Sequence, residues 1–266
     1  MTSRPSYSSL LAFAHELADL SAAVIRPKFR RPLAVANKAG KHAFDPVTAA
    51  DRSAERVIRN AIKARWPEHG LIGEELGTLR EGARFKWVVD PIDGTRAFIM
   101  GSPLWGTLIG LLDGTEPVLG LMNQPFTGER FWSGPTSAYL RHGDGKPRRL
   151  KTRQCPRLAD AILSTTHPDL FERGGEADAF ASLRGKARMT RYGGDCYAYC
   201  LLAAGFVDVV AEAGLKAFDI APLIPIIERA GGRVTGWDGG PAAAGGRVLA
   251  TGDARLHDEA LKVLAI

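Results

Sequence analysis

The chain has 266 residues, 45% hydrophobic and 24% charged, enough to bury one large core or two moderate ones. Its net charge of +6 includes two basic runs, "RPKFRRP" (26–32) and "KPRRLKTR" (146–153). Neither comes with a nucleic-acid motif or an aromatic platform, so they read as solvated surface and no nucleic-acid partner is expected; the general positive field would still favour a small phosphorylated substrate. No uninterrupted apolar stretch approaches the ~20 residues of a membrane span, and Glu16 and Asp19 interrupt the N-terminal apolar pattern, so no membrane partner and no signal peptide is expected and the protein reads as cytoplasmic.

In chain order, Leu10, Phe13, Leu17, Leu20 and Val24 recur at helical spacing and predict an amphipathic first helix. "TAADRSAERVIRNAIKARW" predicts a second, with Thr48 as N-cap and Asp51 three residues on, as in a capping box. "GLIGEE" and "FKWVVD" are short strands that both stop in acid. "GTLIGLL", "PVLGLMNQ", "ERFWS" and "SAYL" follow with turn signals between them and predict an antiparallel meander. "RHGDGKP" (141–147) is the expected division between an N-terminal α+β half, 1–145, and a C-terminal α/β half, 146–266. Beyond it strands and helices alternate: "AILSTTH", "GEADAFASLRG", "ARMTRYG", "DCYAYCLLAAG", "FVDVVAEA", one long helix over "IAPLIPIIERAGG", then "RVTGW", "RVLAT" and a closing helix "DARLHDEALKVL". This pattern predicts a layered α/β architecture. Cys155, Cys196 and Cys200 have no partners at zinc-ligand spacing and read as buried reduced thiols.

The chemistry lies in acids at element ends. Asp51 falls in a helix's first turn, Glu74 and Glu75 follow "GLIG", and Asp90 and Asp93 sit in "KWVVDPIDGTR" (86–96). Glu212 closes one predicted strand, and Asp219 opens the long helix after it. Each has a plain structural reading: Asp-Pro and Asp-Gly are turn dipeptides, Asp51 and Asp219 suit helix N-termini, and Glu74 and Glu75 suit an exposed surface. If the two acidic strand ends adjoin, several carboxylates converge, and like charges there repel unless cations neutralise them. An oxygen-only ligand set favours a hard cation such as Mg²⁺, and two such ions clamp the attacking and leaving oxygens of phosphoryl transfer.

"GEE" (73–75), "DPIDGT" (90–95), the aspartate of "FDIAPLIPIIERAGG" (218–232) and the upstream "DPVTAAD" (45–51) together resemble the inositol monophosphatase superfamily, in order and spacing, over nearly the whole chain. The resemblance implies an αβαβα sandwich with the site between its halves, a homodimer, and two or three Mg²⁺ per site. It implies that Glu74, Asp90 and the Ile92 carbonyl hold one ion, and that Asp90, Asp93 and Asp219 hold another. Thr95, hydrogen-bonded to Asp51, would act with Glu74 on a metal-activated water that attacks phosphorus directly, while the Gly94 and Thr95 N–H groups cradle the phosphate. "DPIDGTRAFI", "PLWGTLIGLL", "NQPFTGERFW" and "RYGGDCYAY" are most similar to the family's bacterial histidinol-phosphatase subgroup. That implies hydrolysis of histidinol phosphate in histidine biosynthesis; the alternatives are inositol 1-phosphate, or a broad range of sugar and nucleotide phosphates. A non-catalytic binding module is the contrasting class, and the intact acid set argues against it. For the cationic leaving group of histidinol phosphate, Asp195 and Glu212 are the expected partners of the amino group, Trp105 an apolar wall, and Arg191 and Gly194 further substrate contacts. Asp195 as a helix N-cap, and Trp105 as ordinary core, are the competing structural readings.

Overall fold

The computed structural model describes residues 5–32, 34–37 and 46–265; Asp45, which opens the "DPVTAAD" segment, lies outside them. Helix α1 (Tyr7–Ile25) begins where the Ser6 hydroxyl accepts the Ser9 N–H at 3.2 Å. Strands β1 (Val35–Asn37) and β2 (Pro46–Thr48) form an antiparallel ribbon that leads into α2 (Ala49–Arg65). There follow β3 (Gly70–Gly73), β4 (Gly77–Leu79), β5 (Phe85–Asp93), the short α3 (Thr95–Met100), β6 (Gly106–Asp113), β7 (Glu116–Gln124), β8 (Glu129–Ser133), β9 (Ala138–His142) and β10 (Arg148–Arg149). Eight of these strands form one sheet in the order β10-β9-β8-β7-β6-β5-β3-β4. The predicted meander is present from β5 onward. Because β3 runs parallel to β5, the two strands that end in acid finish at the same edge.

The second half holds β11 (Ile162–Thr165), α4 (Gly175–Lys186), β12 (Met189–Tyr192), α5 (Asp195–Ala203), β13 (Val209–Lys216), α6 (Ala217–Ile220), α7 (Ile224–Ala230), β14 (Arg233–Gly236), β15 (Gly245–Thr251) and α8 (Ala254–Leu264). Its five-stranded sheet runs β12-β11-β13-β15-β14, parallel across the first three strands and antiparallel across the last three.

Alternate residues along the strands separate the layers, as a period of two demands. Trp87, Val89, Ile109 and Leu121 face α1 and α2 through Phe13, Leu17, Ile58 and Ile62. Leu108, Met122 and Phe131 point the other way, onto Tyr199, Leu202, Ile226 and Ile227 of α5 and α7, and these also meet Val210 and Val248 of the second sheet. Phe180, Leu183, Leu256 and Ala260 of α4 and α8 cover that sheet's far face. The result is the αβαβα sandwich. Helix α1 with the turn after it is, by length and mean hydropathy alone, apolar enough to cross a membrane, although Glu16 and Asp19 interrupt it as the sequence shows. In the fold its apolar face, including Leu10, Phe13 and Leu17, is buried against α2 and the sheet.

Three elements differ from the sequence reading. The long helix expected over 220–232 is two short ones, because Pro222 has no N–H for a helical hydrogen bond and its ring crowds the preceding turn. Asp219 therefore sits in α6. Strand β13 continues past Glu212 to Lys216 through a one-residue irregularity, so Glu212 lies inside the strand. Strand β10 pairs with β9, so the first sheet extends beyond residue 145. The corner between α6 and α7 lies directly on the sheet: a Cβ at Gly120 would come within 1.8 Å of the Pro222 carbonyl oxygen. Only a glycine at that position lets the corner bring Asp219 close to β5.

Candidate active site

The site is built at the shared end of β3 and β5. In a regular strand Asp90 and Asp93, three residues apart, would point to opposite faces. Asp90 pairs with Leu108 and Asp93 with Gly106, so β5 carries one extra residue across this stretch, which re-phases the strand. Thr107 on β6 holds the bulge by donating its hydroxyl to the Pro91 carbonyl at 2.8 Å. The Ile92 N–H donates to Asp90 Oδ1 at 2.9 Å. Glu74 follows β3, and its N–H donates to the Val89 carbonyl at 3.2 Å. From the other half, Asp219 arrives on α6, where its Oδ2 accepts the Lys216 N–H at 2.7 Å. Carboxylate oxygens of Asp90, Asp93 and Asp219 all lie within 4.8 Å of one another.

Electrostatics marks this cluster as charge in excess. Burial first, then the charges of Glu74, Asp93 and Asp219, pushes the Asp90 carboxyl well above the usual range. Burial and the charges of Asp195 and Asp219 do the same to Asp93, partly opposed by the Cys196 N–H, which donates to Asp93 Oδ2 at 2.6 Å. The cluster opens on a cavity of about 530 Å³. Among its described lining residues, six carboxylates (Glu74, Asp90, Asp93, Asp195, Glu212 and Asp219) face two basic side chains, Arg96 and Lys216. A phosphate dianion could not enter such a cavity uncompensated. The donor set, all oxygen and acid-rich, fits hard divalent cations.

Where β5 meets α3, Gly94 is left-handed with φ of 83°, and a Cβ there would meet the Leu104 carbonyl at 2.9 Å and Asp195 at 3.3 Å. Glycine is required on both counts. Thr95 starts α3, and its hydroxyl donates to the Ile92 carbonyl at 3.0 Å. This corrects the expected Thr95–Asp51 hydrogen bond. Asp51 is fully buried behind the site, where its Oδ2 accepts the Thr48 N–H at 2.9 Å and the Thr48 hydroxyl at 2.5 Å to complete the capping box. Among the described residues its buried Oδ1 has no hydrogen-bond partner, and burial raises its carboxyl against the pull of those hydrogen bonds.

Glu212, also on the cavity lining, is buried and rises to about 7, chiefly through burial, with the Asp195 charge adding to it. The Thr166 N–H (2.9 Å) and hydroxyl (2.7 Å) both donate to Glu212 Oε1, and its Oε2 accepts no hydrogen bond among the described residues. Asp195 rises to about 6 through burial, opposed by the charge of Arg96. It is not a capping residue. It opens α5 in the left-handed region with φ of 43°, a conformation that aspartate tolerates at some cost, and Gly194 precedes it as N-cap.

Three expected substrate contacts do not line the cavity. Trp105 is fully buried against Phe29 and Phe98, with ring centroids 5.2 and 4.9 Å away, so it is core. Arg191 is exposed on β12, and Gly194 packs against Ala198 and Ser164 behind the site. Conversely, Arg96, Thr166, Cys196 and Lys216 line the cavity although the sequence does not mark them as site residues. Thr166 had a visible signal, a hydroxyl just past the end of an apolar strand in "AILSTTH".

Clustered carboxylates at the ends of strands in a five-layer sandwich define a class, the metal-dependent phosphatases. The model of the inositol monophosphatase family matches residues 6–265, and the chain belongs to that family. It is 42% identical over 265 residues to the bifunctional phosphatase IMPL2, chloroplastic, of Arabidopsis thaliana, covering 95% of this chain and 74% of that one. It is 36% identical to a histidinol-phosphatase of Streptomyces coelicolor, covering 98% of each. Among solved structures, an inositol monophosphatase from Zymomonas mobilis superimposes with a TM-score of 0.87 at 42% identity, over 99% of this chain and 100% of that one.

Proposed function

We propose that this phosphatase hydrolyses histidinol phosphate to histidinol and phosphate. The observation that carries the reading is Glu212: a buried carboxylate on the cavity wall, one oxygen fixed by Thr166 and the other without a hydrogen bond among the described residues, beside a second carboxylate, Asp195. Such a pair suits a leaving group with an ammonium and an imidazole better than a neutral polyol. The histidinol-phosphatases of Streptomyces coelicolor and Mycobacterium tuberculosis, each 36% identical, support it. Inositol 1-phosphate is the second reading, favoured by the likeness to the Zymomonas mobilis structure; sugar or nucleotide phosphates belong with it.

In this reading Glu74, Asp90, Asp93, Asp219 and the Ile92 carbonyl hold two or three Mg²⁺. Bound Mg²⁺ would neutralise the carboxylates and the substrate phosphate and make the attacking water more acidic. Glu74 takes the water's proton, the Thr95 hydroxyl orients that water, and the Gly94 and Thr95 N–H groups receive phosphate oxygens. Glu212 and Asp195 hold the ammonium. The protein acts in the cytoplasm, consistent with three unpaired cysteines, as a homodimer of two-part chains. The exposed Met189 and Tyr192 on edge strand β12 offer apolar surface for that association.

Phosphate release measured side by side on histidinol phosphate and inositol 1-phosphate tests the assignment. Histidinol phosphate should be favoured in kcat/KM by at least about tenfold, the ratio that one charge-assisted hydrogen bond supplies. A preference for inositol 1-phosphate would overturn the leaving-group assignment.

A further inference from the structure

The turn that carries Glu74 is held from behind by a carboxylate outside the cavity. Glu55 lies on α2, one turn after Asp51, and is fully buried. Its Oε2 accepts the Glu75 N–H at 2.7 Å, and its Oε1 accepts the Leu76 N–H at 3.1 Å. These two N–H groups belong to the three-residue connection between the paired ends of β3 and β4, Gly73 and Gly77. Arg59, one turn further along α2, donates to Glu55 Oε1 at 2.7 Å and to the Gly77 carbonyl at 2.6 Å. The ion pair balances the charge of Glu55, so it brings no further repulsion to the carboxylate cluster.

The backbone is shaped to accept this group. A Cβ at Gly73 would lie 2.2 Å from Glu55 Oε1, so only glycine lets the carboxylate sit flat against the chain there. Gly77 closes the turn in the left-handed region with φ of 69°. The turn is thus fixed on both sides, by Glu55 below and by the Glu74 N–H on the Val89 carbonyl of β5. A buried, ion-paired carboxylate gives two such N–H groups stronger partners than water would.

We propose that Glu55 is the positioning residue for Glu74, fixing the turn so that Glu74 stands ready beside Asp90 before a cation binds. This rests on the reading of Glu74 as a cation ligand. Loss of Glu55 would leave the turn to sample other conformations, and the cost of ordering it would fall on cation binding.

Mn²⁺ binding by titration calorimetry, on the full chain without substrate, tests this. Glu55→Gln keeps the shape but sets an amide donor against N–H groups or Arg59, and should weaken Mn²⁺ binding about tenfold. Gly73→Ala is the second variant: it drives a methyl group into the place of the Glu55 carboxylate while that residue remains, and should weaken binding in the same direction. Activity should show the same split, with a raised Mg²⁺ requirement and a kcat at saturating Mg²⁺ that changes much less. Wild-type Mn²⁺ affinity in both variants, with Glu74→Gln weakened, would overturn the positioning role. Wild-type affinity in Glu74→Gln as well would remove the ligand role of Glu74, and the positioning role would fall with it.

Discussion

Replacing Glu212 with Gln isolates the charge that we propose selects the leaving group. Both hydrogen bonds from Thr166 fall on Oε1, so the amide oxygen can keep them and hold the new side chain where the old one lay. What changes is Oε2, an anionic acceptor that becomes a neutral donor. A charge-assisted hydrogen bond to a substrate ammonium contributes about 1.5–3 kcal/mol, so kcat/KM for histidinol phosphate should fall roughly 10–150-fold. Glycerol phosphate has only hydroxyls in its leaving group, which pair with an amide as well as with a carboxylate. Its kcat/KM should change by less than about threefold, or roughly 0.6 kcal/mol. Asp195→Ala removes the carboxylate that opposes the Arg96 charge and should show the same bias. The assay is phosphate release on both substrates at saturating Mg²⁺. Equal losses on the two would show that Glu212 supports the metal cluster or the fold, and the selectivity argument would fail.

Thr95→Ala should lower kcat by roughly 10²–10⁴ with a smaller effect on KM, the usual range for a positioned acid–base group. Asp51→Asn, which weakens the capping box of α2, should cost about 1 kcal/mol in denaturant-unfolding stability. Because Thr95 and Asp51 share no hydrogen bond, their effects on turnover should add; strongly less-than-additive losses would show that the bond forms in the working enzyme. His257 is fully buried between the Thr235 and Thr251 hydroxyls, 2.9 Å from each, and burial lowers it to about 4. The unfolded chain takes up this proton near pH 6.5 and the folded one only near 4, so stability present above pH 6.5 should be lost as pH falls through that window. The His257 share is about 2–3 kcal/mol, and His257→Gln should flatten the slope in urea titrations between pH 4 and 6.5. An unchanged slope would show that His257 titrates alike in the folded and unfolded chain, and that burial does not lower it.

The sequence announced the acids but not their phase. "GLIGEE" and "FKWVVD" were legible as strands that end in carboxylates, and the parallel pairing of β3 with β5 is what makes those ends meet. Nothing in the spacing of Asp90 and Asp93 reveals the bulge that turns both toward one cavity, because a bulge is settled by the partner strand. Asp219 was found by motif yet misplaced on a long helix; Pro222 and Pro225 were visible, but their effect depends on a corner docking onto Gly120. Trp105 was read as a wall because aromatics serve both core and cavity, and only the packing of Phe29 and Phe98 around it decides. Glu55 is illegible in the sequence for the opposite reason: as one acid among several on an amphipathic helix it looks exposed, and its burial depends on a turn twenty residues away.

The most direct test of the central claim is phosphate release from histidinol phosphate in excess chelator, followed by titration with Mg²⁺. Six carboxyl groups facing two basic side chains in one cavity repel a phosphate dianion unless cations neutralise them. Turnover should therefore vanish in chelator and return with added Mg²⁺. Full turnover in excess chelator would contradict the assignment of Glu74, Asp90, Asp93 and Asp219 as a metal site.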